Sequence, residues 1–206
     1  MTTTLPSSDV AFSPSVKAVQ ARLGSRKGYA GMESRGGWAT TITPELAAFI
    51  ADQRSLFLAT ASADGQAYIQ HRGGPRGFVH VLDEHTLAFA DFAGNRQYIS
   101  TGNLSENPKA QLFLIDYRNR RRIKIWGRAR MVEGDDAQVA KLMPADYAAR
   151  GERVLLFSVS AWDSNCPQHI PQRFDAEDVV ATLAERERRI AALEDEIARL
   201  RLQLPA

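Results

Sequence analysis

The sequence predicts a mainly β protein whose antiparallel strands close into a barrel, with helices packed around it. Three observations carry that expectation. SLFLATAS (55–62) and AYIQHR (67–72) flank Ala63-Asp64-Gly65-Gln66, and the Asp-Gly pair marks a hairpin turn. FVHVL (78–82) and TLAFAD (86–91) are separated only by Asp83-Glu84-His85. The run RRIKIWGRARMV (121–132) alternates charged and apolar residues with the period of a strand. Six or seven mostly antiparallel strands with few helices fit a barrel better than a layered α/β fold.

Taken in order, residues 1–12 are Thr/Ser/Pro-rich and expected to be mobile. Ser13-Pro14 reads as an N-cap followed by proline at the first helical position, with Val16, Val19 and Leu23 as the apolar stripe and Gly24 as the stop. Residues 28–38 hold four glycines among Tyr, Met and Trp and read as a structured loop. Thr43-Pro44 caps a second helix, ELAAFIADQ, with Leu46, Phe49 and Ile50 on one side. SLFLATAS is continuously apolar and reads as a strand buried on both faces. The returning strand sets Tyr68, Gln70 and Arg72 against Ala67, Ile69 and His71, before a tight loop of Gly73, Gly74, Pro75 and Gly77. TLAFAD breaks at Gly94-Asn95-Arg96 into a helix over 95–107, closed by Asn107-Pro108. The strand AQLFLID (110–116) and the basic run follow, then a helix at about 135–149 and a last strand, RVLLFSVSAW (153–162).

The C-terminal segment has a different pattern. Val179, Leu183, Ile190, Leu193, Ile197, Leu200 and Leu204 fall at intervals of four and three, with Arg186 in the one polar slot. Ile at 190 and 197 with Leu at 193 and 200 favours a two-stranded coiled coil; the alternative is a single amphipathic helix on its own barrel. The narrow seam, flanked by Glu and Arg, favours pairing between chains. The expected domains are therefore 1–43, an extension with a short helix; 44–175, the barrel; and 176–206, the amphipathic helix.

A chain of 206 residues, 44% hydrophobic and 24% charged, can bury one sizeable core. A net charge of only +2 rules out a polycation. The single cysteine, Cys166, excludes an internal disulfide and fits a reducing compartment. MTTTLPSSDVAFSPS lacks the basic and apolar regions of a signal peptide, and no apolar run approaches the roughly 20 residues of a membrane span. The expectation is a soluble, cytoplasmic protein without membrane partners.

One stretch combines local structure and charge. A strand that ends in Gly94-Asn95-Arg96 and opens a helix presents backbone N–H groups and a guanidinium at one spot, as a phosphate requires. A cation at a helix start opposes the helix dipole unless an anion sits between them; otherwise Arg96 is an ordinary solvated arginine. On the basic strand, Arg122, Lys124, Trp126, Arg128 and Arg130 share one face. That suits a nucleotide or single-stranded nucleic acid, or equally a solvent-facing strand that discourages edge pairing. His71 and Arg72, before Gly73-Gly74, line a ligand or form part of the framework. His80 and His85 lack a third ligand at metal spacing, and Cys166-Pro167-Gln168-His169 is too short for a zinc or haem signature. No Walker loop, GxGxxG after a strand, GxSxG or HExxH occurs, which argues against P-loop enzymes, Rossmann dehydrogenases and serine hydrolases.

SLFLATASADGQAYIQHRGG, FADFAGNRQYISTGNLSENPKAQLFLI and RRRIKIWGRARMVE together resemble the FMN-binding split barrels related to pyridoxamine 5'-phosphate oxidase. The resemblance covers about residues 44–160 and is strongest over 55–132. The N-terminal extension and NCPQHIPQRF resemble a bacterial subgroup of oxidase-like, flavin-binding proteins. The resemblance implies an antiparallel split barrel and a homodimer with two FMN sites at its interface. Gln70, His71, Arg72 and Gly73 match the strand that runs along the flavin and its phosphate. Ala90 and Asp91 match the strand end beside the isoalloxazine ring. Within the turn that begins Gly94-Asn95, Arg96 and Gln97 match the family's Arg-Lys pair on the phosphate. Arg122 matches a glutamine that reaches the flavin, and Trp162 corresponds to a late tryptophan given by the partner chain.

The departures from that pattern are informative. Gln97 stands for a lysine and Gln70 for an arginine, with Arg72 and Arg122 as the compensating charges. The family's Arg-x-His signature for the substrate phosphate is missing near the C-terminus, and its substrate lysine has no counterpart in GGPRG. Both absences argue against pyridoxamine 5'-phosphate as substrate. The implied activity is an FMN-dependent oxidoreductase, FMN being favoured over FAD or a deazaflavin, with a small-molecule substrate or electron donor left unnamed. Arg72 or Arg122 near the ring's pyrimidine end would stabilise a reduced anionic flavin. The alternative is a non-catalytic flavin- or haem-binding protein for storage, sensing or haem handling. A nucleic-acid module on residues 120–130 is a third reading, disfavoured by the modest net charge.

Overall fold

The computed structural model describes residues 5–165 and 167–203; Cys166 and Leu204, which figured in the sequence motifs above, lie outside the described residues. Seven strands form one sheet: β1 Ser55–Ala61, β2 Ala67–Gly73, β3 His80–Asp83, β4 Thr86–Phe92, β5 Lys109–Asp116, β6 Arg121–Val132 and β7 Gly151–Asn165. Six α-helices accompany them: α1 Pro14–Arg22, α2 Arg26–Glu33, α3 Pro44–Ala51, α4 Ile99–Glu106, α5 Asp136–Leu142 and α6 Ala176–Gln203.

Every strand pairing is antiparallel, in the order β2-β1-β5-β6-β7-β4-β3. The end strands β2 and β3 do not pair with each other, so the closed barrel expected from strand count is instead a split one. The sheet is nevertheless rolled. Arg72 of β2 is ion-paired with Asp91 of β4, although four strands lie between them in the order. The split therefore runs beside these two residues.

Alternation along each strand builds the core. Leu56 and Leu58, Leu112 and Leu114, Ile123 and Ile125, and Leu155 and Phe157 point inward and meet Leu46, Phe49 and Ile50 of α3. Each such side chain, fully buried, stabilises the fold by about 1.5–3 kcal/mol. β1 is buried on one face only, against the expectation of two. Its other face carries Phe57, which is half-covered by the rings of His71 and Phe113. A bulge interrupts the β6–β7 register at Trp126/Gly127. There a Cβ on Gly127 would lie 2.1 Å from the Ser158 carbonyl oxygen, so only glycine fits.

Helix starts follow the caps read from sequence. Ser13 and Thr43 each accept a hydrogen bond from the third following amide, at 3.3 Å, with proline at the first helical position. Four segments differ from expectation. Ser7–Val10, expected to be mobile, form a short 3₁₀ turn in which Ser8 is fully buried. Residues 28–38 do not form a loop throughout, because α2 occupies their first half. Arg26 binds Gln20 at 2.6 Å and pairs with Glu33, and Phe12 packs edge-on against Tyr29. These contacts offset the cost of about 1 kcal/mol for each helical glycine. α4 starts at Ile99 rather than 95, because Arg96 and Tyr98 adopt left-handed φ values of 58° and 53°. α5 ends at Leu142 because Pro144 drives Met143 into the extended region.

A second compact unit gathers Tyr117–Arg120 and the chain from Gln168 onward, including the 28-residue α6. Arg118 pairs with Asp178 at 2.9 Å, Gln172 donates to the Arg118 carbonyl at 2.9 Å, and the Arg173 guanidinium lies 4.7 Å from the Tyr117 ring centre. Among the described residues, no helix is long and apolar enough to cross a membrane.

Candidate functional site

The split places a buried charge cluster next to an apolar hollow. β4 is buried from Leu87 to Ala90, and its next residue is Asp91, only 6% exposed. Asp91 is held from two sides. The Nη1 of Arg72 donates to its Oδ1, and the Nε of Arg153, its register partner on β7, lies 3.2 Å from Oδ2. Arg153 also reaches Glu133 at 3.0 Å and Glu152 at 2.8 Å, and stands 4.9 Å over the Tyr98 ring. Burial pushes the Asp91 carboxyl above its ordinary value, against the pull of Arg72 and then of Arg153. Burial opposes the Arg153 charge as well, but the Glu152 bond and the Asp91 charge lift it above its ordinary value.

Two lobes open around this cluster, and Gly94 lines both. The polar lobe is bounded by Arg72, Arg96, Arg153, Ser100, Thr101 and Glu152. Three guanidiniums line this lobe with the carboxylates of Asp91 and Glu152, while Glu133 holds Arg153 from outside it. The Nε of Arg72 is buried and has no hydrogen-bond partner among the described residues. The start of α4 faces the same lobe, and its left-handed N-cap, Tyr98, offers no side-chain cap to the first amides. Ser100 donates its hydroxyl to Gln70 Oε1 at 2.9 Å, tying α4 to β2. The second lobe has a volume of about 220 Å³ and is lined by His71, Gly73, Phe78, Phe89, Ala90 and Phe92.

Most of the residues singled out from the sequence meet here. Gln70, Arg72, Asp91, Asn95 and Arg96 line the polar lobe; Gln70, His71, Arg72, Gly73 and Ala90 line the other. Arg96 stands at the mouth, its side chain 65% exposed, with its nearest carboxylate, Glu152, at 3.9 Å. Asn95 shapes the turn by accepting from the Gln97 amide at 3.2 Å, while Gln97 is exposed and lines neither lobe. Arg122 and Trp162 do not reach the crevice within one chain. Arg122 lies on β6 opposite Ile115, its Nε buried without a hydrogen-bond partner among the described residues. Trp162, on β7, donates its indole N–H to the Thr41 carbonyl at 2.8 Å.

Trp126, the aromatic of the basic face, is stacked against Trp38 at 4.6 Å and 11°, so the chain itself covers one side of the ring a nucleic-acid base would use. A larger hollow of about 440 Å³ beside Trp126 and Gln111 holds no comparable buried charge cluster. Among the described residues, no group of three His, Cys, Asp or Glu side chains could hold a metal ion.

Sequence reasoning missed Arg153, Glu152, Tyr98 and Ser100. An arginine at the head of the apolar run RVLLF was the available signal for Arg153, yet only the β4–β7 register sets it opposite Asp91.

The profile described as pyridoxamine 5'-phosphate oxidase matches residues 42–166. No curated protein matches the chain. Among solved structures, HupZ of Group A Streptococcus is 20% identical, with 65% of this chain and 99% of that chain covered and a TM-score of 0.48. A putative pyridoxamine 5'-phosphate oxidase from Lactobacillus delbrueckii is 22% identical, with 61% and 95% covered and a TM-score of 0.45. An FMN-binding protein from Syntrophomonas wolfei is 13% identical, with 71% and 97% covered and a TM-score of 0.45. The profile match spans more than half of the sequence, and its strands are those of the split barrel described above: the chain belongs to the pyridoxamine 5'-phosphate oxidase family.

Proposed function

We propose that the chain binds FMN in the split of its barrel and serves as a flavin-dependent oxidoreductase. The observation that supports this most is the polar lobe, where the half-buried Arg72, its buried Nε without a hydrogen-bond partner among the described residues, stands beside an uncapped helix start. Arg72, Arg96 and the first amides of α4 are the groups suited to the phosphate. The adjoining lobe, walled by Phe78, Phe89 and Phe92, suits a flat apolar ring. Bound FMN supplies hydride and electron transfer, and the chain binds and orients it.

At about 220 Å³ the ring lobe is smaller than the roughly 300–1,000 Å³ of a complete ligand pocket. A second copy completes it in this reading and brings Arg122 and Trp162 to the flavin. The missing Arg-x-His signature favours a substrate other than pyridoxamine 5'-phosphate.

Titration of flavin fluorescence with the purified chain tests the proposal. FMN is expected to be quenched, and riboflavin, which lacks the phosphate, to bind about tenfold or more weakly, the worth of one charge-assisted hydrogen bond or more. Equal affinity for both, or no quenching, defeats it. FAD and a deazaflavin compete in the same assay. Turnover of the FMN complex with NAD(P)H separates an enzyme from a storage protein.

A further inference from the structure

α6 shows a continuous apolar seam to solvent. Ile190, Leu193, Ile197 and Leu200 are 44–55% exposed, as is Leu183 at 54%. A helix of 28 residues, four heptads long, gains little from propensity alone and draws its stability from burying such a face. We infer that α6 pairs with α6 of a second copy as a parallel, in-register two-stranded coiled coil.

The choice of partner rests on side-chain shape and on charge. Leu183, Ile190 and Ile197 take the a positions, and Leu193 and Leu200 take d. In the C-terminal half, β-branched residues thus fill a and leucine fills d, the combination that selects parallel dimers. The flanking e and g positions supply the second argument. In a parallel pair each g residue meets the e residue five places on in the other helix. Arg189 then faces Glu194 of the second copy, and Glu196 faces its Arg201. Both contacts are attractive, and symmetry repeats each one. An antiparallel pair that keeps the apolar layers in line sets Glu187 against Glu194, a like-charge contact that cancels its one attractive pair, Arg189 with Glu196. Glu196 is also held by Arg199 at 2.5 Å, which keeps its carboxylate on the helix flank.

Arg186 takes a d position, where in register it meets the same arginine of the second copy, a like-charge layer that costs stability. A single polar core residue of this kind fixes register, since any slip sets it against an apolar layer. At the other end, the Arg118–Asp178 pair ties the first turn of α6 to its own compact unit. The inference stands independently of the flavin reading, because it uses none of the crevice residues.

Disulfide trapping in the full-length chain tests it, on a Cys166→Ser background. Leu193→Cys and Leu200→Cys lie seven residues apart at d. Both are expected to give covalent dimers in high yield on mild oxidation, whereas Asp195→Cys, on the outer face, gives at least tenfold less. Adding Arg189→Glu to Leu200→Cys is expected to cut the yield severalfold, and adding Glu194→Arg as well to restore it. Cross-linking at neither d position, or at only one of them, overturns the inference. Flavin binding is measured on the same variants. Lost cross-links with flavin retained sink the coiled coil alone, and the reverse result sinks the flavin site alone.

Discussion

The crevice and α6 break the usual rules of burial in opposite directions. Around Asp91 the fold hides charge: the carboxylate and Arg153 are both less than a tenth exposed. Along α6 it displays hydrocarbon, with Ile and Leu about half exposed. The costs differ as well. A buried ion cluster is stable only while all its members are present, because each removal strands a charge out of water. An exposed leucine costs the folded monomer almost nothing, and its value appears only on association. The first region is therefore built to hold its geometry, and the second is the one the inferred pairing would cover.

Four substitutions sharpen or break this contrast. The largest effect is expected from Arg153→Met, which takes from Asp91 one of its two cations and from Glu152 its nearest one. A loss of about 3–5 kcal/mol of unfolding free energy is expected in denaturant titrations. Ile197→Glu, in contrast, leaves the barrel transition within about 0.5 kcal/mol while removing the α6 cross-link. Similar losses from both would erase the distinction between the two regions.

Next comes Gly94→Leu. A Cβ at Gly94 has open space around it and no left-handed φ to defend, yet the residue lines both lobes. The variant is expected to fold as well as the parent and to lose FMN quenching at least about tenfold. A variant that quenches normally would place the flavin elsewhere.

The smallest effect concerns pH. A carboxyl raised above its ordinary value of 3.8 favours the folded state when protonated. Its contribution is therefore fully present below that value and is lost as pH rises through the higher folded value. Relative to Asp91→Asn, which does not titrate there, the parent is expected to lose stability as pH climbs from about 3.8. The opposite slope in paired denaturation curves would show that the guanidiniums, not burial, govern Asp91.

Much of this arrangement was legible in the sequence because period-two alternation is a local property. The alternation of β6, its inward Ile123 and Ile125, and both proline-opened helices follow from neighbours a few residues apart. The Gly94-Asn95-Arg96 turn was legible for the same reason. What escaped depended on distant contacts. α2 forms because Arg26 finds Gln20 and Glu33, and no scale that penalises Gly28 and Gly31 registers those bonds. Arg153 became part of the site only through a register between strands some 60 residues apart in sequence. Arg122 and Trp162 lay on the strands expected of them, but their distance from the crevice depends on how the sheet rolls.

The left-handed backbone at Arg96 has a consequence for how this sequence can change. Glycine adopts φ of 58° freely, whereas arginine holds it under strain, so Arg96→Gly would relieve that strain and leave the fold at least as sound. Selection for robustness alone would drift toward that replacement. An arginine at this point is thus a trade of conformational ease for a cation at the mouth of the split.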